Sequence, residues 1–553
     1  MSSDGTALTA KPQLKAPRGS RMVITRFVAR HSLRSAAFIA LAFAAFVAAK
    51  VVGYADLYPS TQDRLAAAAL FNNNVGLEAL FGAPYHLDTV TGYAAWYAIT
   101  MGVLLGSIWA FLVATRVFRG DETAGRWELL LIGRTTARQA AISALAGLGA
   151  SLILFYVIAT VALAAMGSSH NIDFSLRACA YLALVSVSSA VLFVSIGAFT
   201  SQLMPTRSRA AGLATLIFGI FFLLRAAGDV TSMHWLLNLT PFGWLEKTQP
   251  FFNPQPIWLL PMASLTAVFI AATIYLAGKR DLGDSFVKDK DVSKPHLRFM
   301  NSSFMASIRL TRASTVSWTL GILAYTTFFG ALTSTAAQAF TSSTAAQQYL
   351  TRLADAAQET GAKIFLSVGF MLFILGVMAY TAYAVGAMRE DESQGYLDNF
   401  LVRPLARQKW LWGRIGYIVI IIALIGLLAP VGTWFSMSSS HYGIAFNDLF
   451  QAGINGIVPA FFTLGIGIFA LGFLPRLTTI ISYGIIAWSF IIQMVSSGLK
   501  VDQWILDTSI LSHISLAPAT SPDWNTNFVI LGIGAVLLLL GALRFNTRDL
   551  QTE

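Results

Sequence analysis

The chain has 553 residues, of which 56% are hydrophobic and only 12% are charged, against about 25% charged in a typical soluble domain. This balance excludes an ordinary soluble enzyme and indicates a protein that has lipid as its solvent. The net charge of +11 is spread over short stretches between apolar runs, a distribution typical of membrane orientation signals and not of a nucleic-acid-binding domain.

Twelve apolar runs are each long enough to cross a bilayer, because a span needs about 20 apolar residues. Each run is predicted to be a helix, since an isolated strand cannot satisfy its backbone in lipid. The first run starts too late and is too long for a cleaved signal peptide, so we expect a retained first helix. The predicted fold is therefore all-α, a polytopic membrane protein of about 12 transmembrane helices. The runs cover residues 36–54, 91–115, 141–166, 176–204, 210–228, 257–277, 314–336, 364–387, 415–437, 449–473, 477–495 and 526–544.

Lysine and arginine are distributed unevenly between alternate connecting segments. If the N-terminus is cytoplasmic, thirty of the 38 basic residues fall in cytoplasmic segments. Loops on the cytoplasmic side of membrane proteins carry such an excess. The distribution therefore predicts that both termini are cytoplasmic.

An internal repeat divides the chain into halves. The segment RGDETAGRWELL, from Arg119, aligns with REDESQGYLDNF, from Arg389, at an offset of 270 residues. The other landmarks are Arg134 with Arg403 at 269, Gly197 with Gly467 and Pro205 with Pro475 at 270, and Arg280 with Arg548 at 268. Six spans per half give a parallel repeat with both halves in the same orientation. The predicted organisation is a tail and interfacial helix over 1–35, a first half over 36–278, a charged linker over 279–305 and a second half over 306–553.

A short polar segment between the second and third spans of each half carries an apolar stripe. Trp127, Leu130 and Leu131 have the i, i+3, i+4 spacing of one helical face, and the equivalent residues are Leu397, Phe400 and Leu401. We therefore expect short amphipathic helices at about 119–139 and 389–409. Their spacing fits either a coupling helix seated in a groove of a cytoplasmic partner or a helix lying in the lipid interface.

Charged and capping residues flank these stripes. Two acids precede each stripe, and Thr123 and Ser393 are expected to be the helix N-caps, because hydroxyls and acids favour the positive end of a helix. The acids are Asp121, Glu122, Asp391 and Glu392, and the arginines that follow are Arg134, Arg138, Arg403 and Arg407.

The segment before the first span has a cationic stripe. Arg26, Arg30 and Arg34 are four residues apart, while the opposite side consists of Val23, Ile24, Phe27 and Val28. This pattern predicts an amphipathic interfacial helix that favours anionic membrane lipid. A plain positive-inside anchor is the alternative.

Several chemistries have no sequence signal here. No Asp or Glu lies within the twelve predicted spans, whereas ion-driven carriers usually hold ionisable groups at membrane depth. The chain has no GxxxxGK[ST] loop for ATP, no HExxH motif and a single cysteine, Cys179. We therefore expect a transport subunit that is not itself an enzyme and that holds no cofactor or metal. An ion-coupled secondary drug transporter and a non-transporting scaffold or sensor are the alternatives.

Aromatic and sulfur side chains are dense in four spans, where flat, polarizable walls would suit a hydrophobic ligand. Lining a transport route is the functional interpretation, and packing or lipid contact is the alternative. For Arg225, near the end of its span, snorkelling is expected and an outer gate is the alternative. The candidate route residues are Tyr97, Met101, Trp109, Phe218, Phe222, Arg225, Phe370, Phe373, Tyr380, Trp488 and Met494.

The segment GDETAGRWELLLIGRTTARQ, the repeated acid-acid-[Ser/Thr]-x-Gly block and LTPFGW, from Leu239, resemble the fused permeases of actinobacterial tetronasin-type antibiotic exporters, within the ABC-2 type (type V) exporter family. The second half departs from this pattern, because its equivalent of LTPFGW is SLAPAT, from Ser515.

The resemblance implies a multidrug efflux permease in a bacterial plasma membrane that moves hydrophobic or amphipathic compounds outward. It implies two copies of a separate ABC ATPase, which would hold ATP and Mg²⁺ beneath two coupling helices, and no nucleic acid partner. The coupling residues that it implies are Asp121, Glu122, Gly125, Arg126, Trp127, Leu130, Leu131, Arg134, Asp391, Glu392, Gly395, Leu397, Phe400, Leu401, Arg403 and Arg407.

Overall fold

The computed structural model describes residues 19–72, 75–131, 135–169, 174–231, 233–281, 283–287, 302–342, 361–397, 406–437, 444–496 and 502–550. Within these ranges every regular element is helical, and twelve helices are long and apolar enough to cross a membrane. The predicted all-α, twelve-span fold is therefore confirmed. The ends of most predicted spans lie a few residues from the ends of helices, and several helices continue into polar sequence.

The described residues of the first half form ten helices. Four of them are too short to cross a bilayer, and one span, α4, contains π-helical stretches at Gly102–Gly106 and Arg116–Gly120. The helices are α1 (Gly19–Leu57), α2 (Thr61–Asn72), α3 (Val75–Phe81), α4 (Val90–Thr123), α5 (Arg126–Leu131), α6 (Ala137–Ser169), α7 (Leu176–Leu203), α8 (Arg207–Val230), α9 (Pro241–Glu246) and α10 (Leu259–Ala277).

The second half repeats this order of spans. Its described helices are α11 (Ser303–Ser342), α12 (Gly361–Ser393), α13 (Arg407–Ser436), α14 (Phe446–Phe473), α15 (Thr478–Ser496), α16 (Gln503–Leu506) and α17 (Trp524–Thr547). The span equivalent to α4 is α12, and the spans equivalent to α7 and α10 are α14 and α17.

The N-terminal segment is continuous with the first span. Arg26, Arg30 and Arg34 are exposed as predicted. On the predicted apolar side, Ile24 and Val28 are buried, but Phe27 is half-buried and Val23 is 57% exposed. The predicted separate interfacial helix is wrong, however, because α1 runs unbroken from Gly19 to Leu57. No proline interrupts this stretch, so the backbone hydrogen bonds continue from the basic segment into the apolar one.

Two compact units contain most of the two sequence halves. One comprises residues 1–48, 81–83 and 90–291, and the other comprises 49–80, 84–89 and 292–553. Within the first unit the fourth span, α7, packs against α4, α6, α8 and α10. Within the second unit α14 packs in the same way against α12, α13, α15 and α17. The fourth span is thus the central helix of each unit.

Glycines allow a close approach between α14 and α17. A Cβ atom on Gly465 would lie 2.2 Å from the backbone oxygen of Gly534, and one on Gly541 would lie 2.4 Å from that of Ile468. Helix pairs in membranes gain little hydrophobic free energy from each other, so they rely on such close backbone contact.

Candidate functional site

Each half has a tight turn after its second span. Gly125 has φ +71° and Gly395 has φ +70°, and their N–H groups donate to the carbonyl oxygens of Glu122 and Glu392, both at 3.0 Å. A glycine in the left-handed region is a usual helix C-cap, because it has no Cβ to clash there. We call residues 121–128 and 390–397 the acidic turns.

The predicted N-caps in these turns are wrong. The hydroxyl of Thr123 donates to the carbonyl oxygen of Arg119 at 3.0 Å, and that of Ser393 donates to Glu390 at 3.1 Å. Both residues therefore end the preceding helix. The helix continues through the acids because arginines neutralise them, and the glycine then stops it.

Glu122 is the centre of a buried ion-pair network in the first half. Its side chain is 3% exposed, and its two carboxylate oxygens accept from the Nη1 and Nη2 atoms of Arg280, both at 2.6 Å. The N–H of Gly283 donates to it at 2.8 Å, and Arg119 Nη1 lies 3.4 Å away. Arg280 Nε also donates to Gln202 of α7 at 2.7 Å. The acidic turn is thereby fixed to the ends of α7 and α10.

Glu392 makes the equivalent network in the second half. It is 1% exposed and accepts from the Nη1 and Nη2 atoms of Arg548 at 2.5 and 2.7 Å. Arg389 Nη1 lies 3.3 Å from it, and Arg548 Nε donates to the carbonyl oxygen of Leu471 at 3.2 Å. We call Glu122–Arg280 and Glu392–Arg548 the two clamps. Bidentate geometry and further hydrogen bonds are what make a buried ion pair tolerable.

The two aspartates of the acidic turns are paired differently. Asp121 Oδ1 accepts from Arg126 Nη1 at 2.7 Å, whereas Asp391 pairs with Arg414 near the start of α13. Arg407 donates from Nη1 to the carbonyl oxygen of Arg548 at 2.9 Å. All four acids of the sequence prediction are therefore bound within their own half.

The apolar stripe also faces inward where it is described. Trp127 is 7% exposed, donates from Nε1 to the carbonyl oxygen of Val117 at 2.9 Å and lies beside the ring of Phe118. Leu397 is 1% exposed, and Leu131 is half-buried. Arg134, Phe400, Leu401 and Arg403, and the side chain of Leu130, lie outside the described residues.

The exposed face of the turns consists of other side chains. In the first half Arg126 and Glu128 are exposed, and in the second half Glu390, Gln394 and Tyr396 are exposed. This face is the part of each turn that a second protein could contact.

Most candidate route residues of the first half pack between helices. The ring of Tyr97 contacts those of Phe46, Phe81 and Tyr93. Met101 is 5% exposed, and Trp109 Nε1 donates to Ser35 Oγ at 3.1 Å. Phe218 and Phe222 are half-buried and stacked on each other.

Candidate route residues of the second half are similarly placed, with one exception. Phe370, Phe373 and Tyr380 are 3%, 1% and 1% exposed. Trp488 is 46% exposed, and its Nε1 donates to Thr508 Oγ1 at 2.8 Å. The side chain of Met494 lies outside the described residues.

The LTPFGW segment folds over the far end of α8. Phe242 is 2% exposed, and its ring centroid lies 5.8 Å from that of Phe193 and 5.4 Å from that of Phe218. Thr240 Oγ1 donates to the carbonyl oxygen of Phe221 at 2.9 Å. Helix α9 is thus held against α8 by the aromatic packing of Phe242.

The sequence predicted that Arg225 would snorkel to a surface, and this prediction is wrong. Two acids compensate the charge of Arg225 inside the protein. Arg225 is 4% exposed, with Nε 3.7 Å from Asp229 and Nη1 3.3 Å from Glu246. This cluster was not predicted from the sequence, since Asp229 lies one residue beyond the predicted span and Glu246 lies between two predicted spans. The separation of 21 residues between Arg225 and Glu246 gave no indication that they are in contact.

Amides hold the equivalent segment of the second half. Asn455 Nδ2 donates to the carbonyl oxygen of Ser515 at 2.9 Å, and Asn527 Nδ2 donates to Asn455 Oδ1 at 3.0 Å. Ser367 Oγ donates to the carbonyl oxygen of Leu516 at 2.9 Å. The two halves therefore differ most at the ends remote from the acidic turns.

Comparison with known families decides the identity. A family model described as "Multidrug efflux system permease Rv1217c, C-terminal domain" matches the chain twice, over residues 31–277 and 300–546. The chain belongs to this family. The two matches start 269 residues apart, which is the offset of the internal repeat. Both clamp glutamates lie inside the matched ranges, and both clamp arginines lie just beyond their ends.

A relative in this permease family extends the match over most of the chain. It is the "Multidrug efflux system permease protein Rv1217c" of Mycobacterium tuberculosis (strain ATCC 25618 / H37Rv), which is 24% identical over 512 residues. The alignment covers 90% of this chain and 88% of the relative. Family membership and the twelve apolar helices together make the chain a multi-pass membrane permease of the multidrug efflux type.

Proposed function

We propose that this chain is the membrane-spanning subunit of an ATP-driven exporter of hydrophobic or amphipathic compounds, in a bacterial plasma membrane with both termini cytoplasmic. Two copies of a separate ABC ATPase subunit would bind the exposed faces of the two acidic turns. ATP and Mg²⁺ would be held by those subunits and not by this chain.

The observation that carries this proposal is the pair of clamps. The same buried Glu–Arg pair recurs in both halves, and each pair fixes an acidic turn to the last span of its half. A force applied to the exposed face of the turn would reach the second and sixth spans together, because separating a buried pair leaves uncompensated charge. Such a rigid connection is what a membrane subunit needs if its fuel is consumed by another polypeptide.

The burial of the clamp glutamates determines which residues we propose as the contacts with the ATPase. Glu122 and Glu392 are buried, so they would position the turns and would not touch a partner. The contacting side chains would be the exposed ones, Arg126 and Glu128 in the first half and Tyr396 in the second.

The test is co-purification of the full chain with the candidate ATPase, followed by reconstitution in liposomes. Glu128→Arg combined with Tyr396→Glu should abolish association and ATP-dependent efflux, while membrane insertion and Tm stay unchanged. Trp235→Glu is the matched control, because this residue is 59% exposed but lies in the loop between the fifth and sixth spans. Full association of the double variant would contradict the proposed interface.

The same liposomes separate the two alternatives. Transport by the chain alone, driven by an ion gradient and abolished by a protonophore, would make it an ion-coupled secondary transporter. Absence of transport with and without the ATPase, in a correctly folded preparation, would favour a scaffold or sensor.

A further inference from the structure

A buried charged cluster lies in the first half, at the end remote from the acidic turns. Arg225 and Asp229 are one turn apart on α8, and Glu246 is the last residue of α9. Arg225 Nη1 lies 3.3 Å from Glu246 Oε1, and Arg225 Nε lies 3.7 Å from Asp229 Oδ2. The side chains of Arg225, Asp229 and Glu246 are 4%, 0% and 19% exposed. The cluster therefore joins a span to the short helix that covers it.

The charges of this cluster do not balance. Among the described residues, two carboxylates face one guanidinium, so the ionised cluster carries an excess negative charge that is largely shielded from water. His234, the other titratable group that acts on Asp229, directs its Nδ1 to the carbonyl oxygen of Gly228 at 2.9 Å. Lys247 is bound elsewhere, to the side-chain oxygen of Asn238 and over the ring of Trp258. A buried charge without compensation is strongly unfavourable, so the cluster should take up a cation.

The contacts of Asp229 show where that cation would go. Neither carboxylate oxygen of Asp229 has a hydrogen-bond partner within the described part of the chain. A proton on the neighbouring Glu246 would make that carboxyl group the missing donor. A buried acceptor that gains a donor recovers a large part of its desolvation cost.

The backbone at Gly82 packs closely against the Arg225–Glu246 pair. Gly82 has φ +89°, and a Cβ atom there would be 2.2 Å from Glu246 Oε1 and 3.0 Å from Arg225 Nη1. The carbonyl oxygen of Gly82 is fixed by Trp96 Nε1 at 2.8 Å. Burial raises the pKa of Glu246 well above its ordinary value, and the charge of Asp229 raises it further, while Arg225 opposes the rise.

We propose that Asp229 and Glu246 share one proton, and that this proton latches α9 onto α8. Loss of the proton leaves two carboxylates that repel each other across the α8–α9 contact. Helix α9 would then move away from α8 and withdraw Phe242 from the cluster of Phe193 and Phe218. The latch is independent of the proposed ATPase partner.

The latch has no sequence counterpart in the second half. At the repeat offset of 270, Val495 stands where the first half has Arg225, and the match of LTPFGW with SLAPAT places Pro522 where it has Glu246. Neither side chain ionises. One proton would therefore be bound per chain.

The stability of the closed latch depends on pH because the closed and open states bind different numbers of protons. A closed latch raises the pKa of Glu246, so the closed state binds more protons than the open state. Its stability is complete below the ordinary glutamate pKa of about 4.3 and is lost as pH rises to the raised value. Within that window the open fraction should increase by up to about tenfold per pH unit.

Cysteine accessibility in the full chain in lipid nanodiscs tests the latch. The native Cys179 is buried, so a Leu245→Cys variant reports on α9, where Leu245 is 0% exposed. Trp235→Cys, at a position 59% exposed, corrects for the effect of pH on thiol chemistry. The ratio of the two maleimide labelling rates should rise with pH and then level off. With Glu246→Gln added, which keeps a donor but cannot ionise, the ratio should be low and flat.

A second measurement does not depend on the cysteine variants. Infrared spectra of the otherwise unmodified chain should show a carboxylic acid C=O band near neutral pH that both Glu246→Gln and Asp229→Asn remove. The latch would be overturned if the labelling ratio measured without Glu246→Gln did not change with pH. It would also be overturned if adding Glu246→Gln left the pH dependence of that ratio unchanged. An infrared band unchanged by both substitutions would overturn the shared proton.

Discussion

Removing one clamp glutamate should be among the most damaging substitutions in the chain. In Glu122→Ala, Arg280 loses both hydrogen bonds of 2.6 Å, and the N–H of Gly283 loses its acceptor at 2.8 Å. Arg280 and Arg119 are then left as neighbouring cations that have lost the carboxylate between them. Breaking a buried pair in this way costs about 3–5 kcal/mol. At about 2–4 °C per kcal/mol for a domain of 150–250 residues, we expect Tm to fall by about 6–20 °C.

Thermal unfolding of the full chain in nanodiscs measures this loss. Glu392→Ala should cause a similar fall, because Glu392 is bound in the same way by Arg548. Glu128→Ala is the matched control on the first acidic turn, since Glu128 is exposed and surface substitutions usually stay within about 0.5 kcal/mol. If Glu122→Ala lowered Tm no more than Glu128→Ala does, the clamp would not hold the turn.

Three further substitutions test other contacts by the same measurement. Gly125→Ala should cost about 1–2 kcal/mol from its φ of +71° alone, since nothing lies within 4 Å of the added Cβ; an unchanged Tm would contradict this. Gly541→Ala should cost about 1–3 kcal/mol by overpacking, because its Cβ would meet a backbone oxygen at 2.4 Å, whereas Gly532→Ala on the same helix meets nothing within 4 Å. Equal Tm values for these two variants would refute close packing of α17 on α14. Trp127→Phe should lower the free energy of unfolding by about 1 kcal/mol, because the hydrogen bond to the Val117 carbonyl is lost. A loss below the error of the measurement would show that the indole does not make this hydrogen bond.

The spans could be predicted from sequence because lipid imposes a simple rule. A helix that crosses a bilayer needs a continuous apolar stretch, whatever it packs against. The ends were less predictable: α4 continues to Thr123 and α12 to Ser393, past the apolar sequence, since the buried arginines neutralise the acids there. A hydropathy profile does not show which acids are paired with arginines.

The candidate site was predicted as a set of landmarks but not as a set of contacts. Glu122 and Arg280 each recur at the repeat offset, and this shared recurrence was the one available signal that they belong together. Their separation by 158 residues gave no indication of distance in space. The inward direction of Trp127 was also not predictable, because the i, i+3, i+4 spacing identifies an apolar face without saying what covers it.

The asymmetry between the remote ends of the halves sets the number of proposed latches in the chain. The clamps are the same in both halves, whereas the trio of Arg225, Asp229 and Glu246 has no counterpart in the second half. A homodimer of either half would have two copies of the proposed latch or none, while the fused chain would have one.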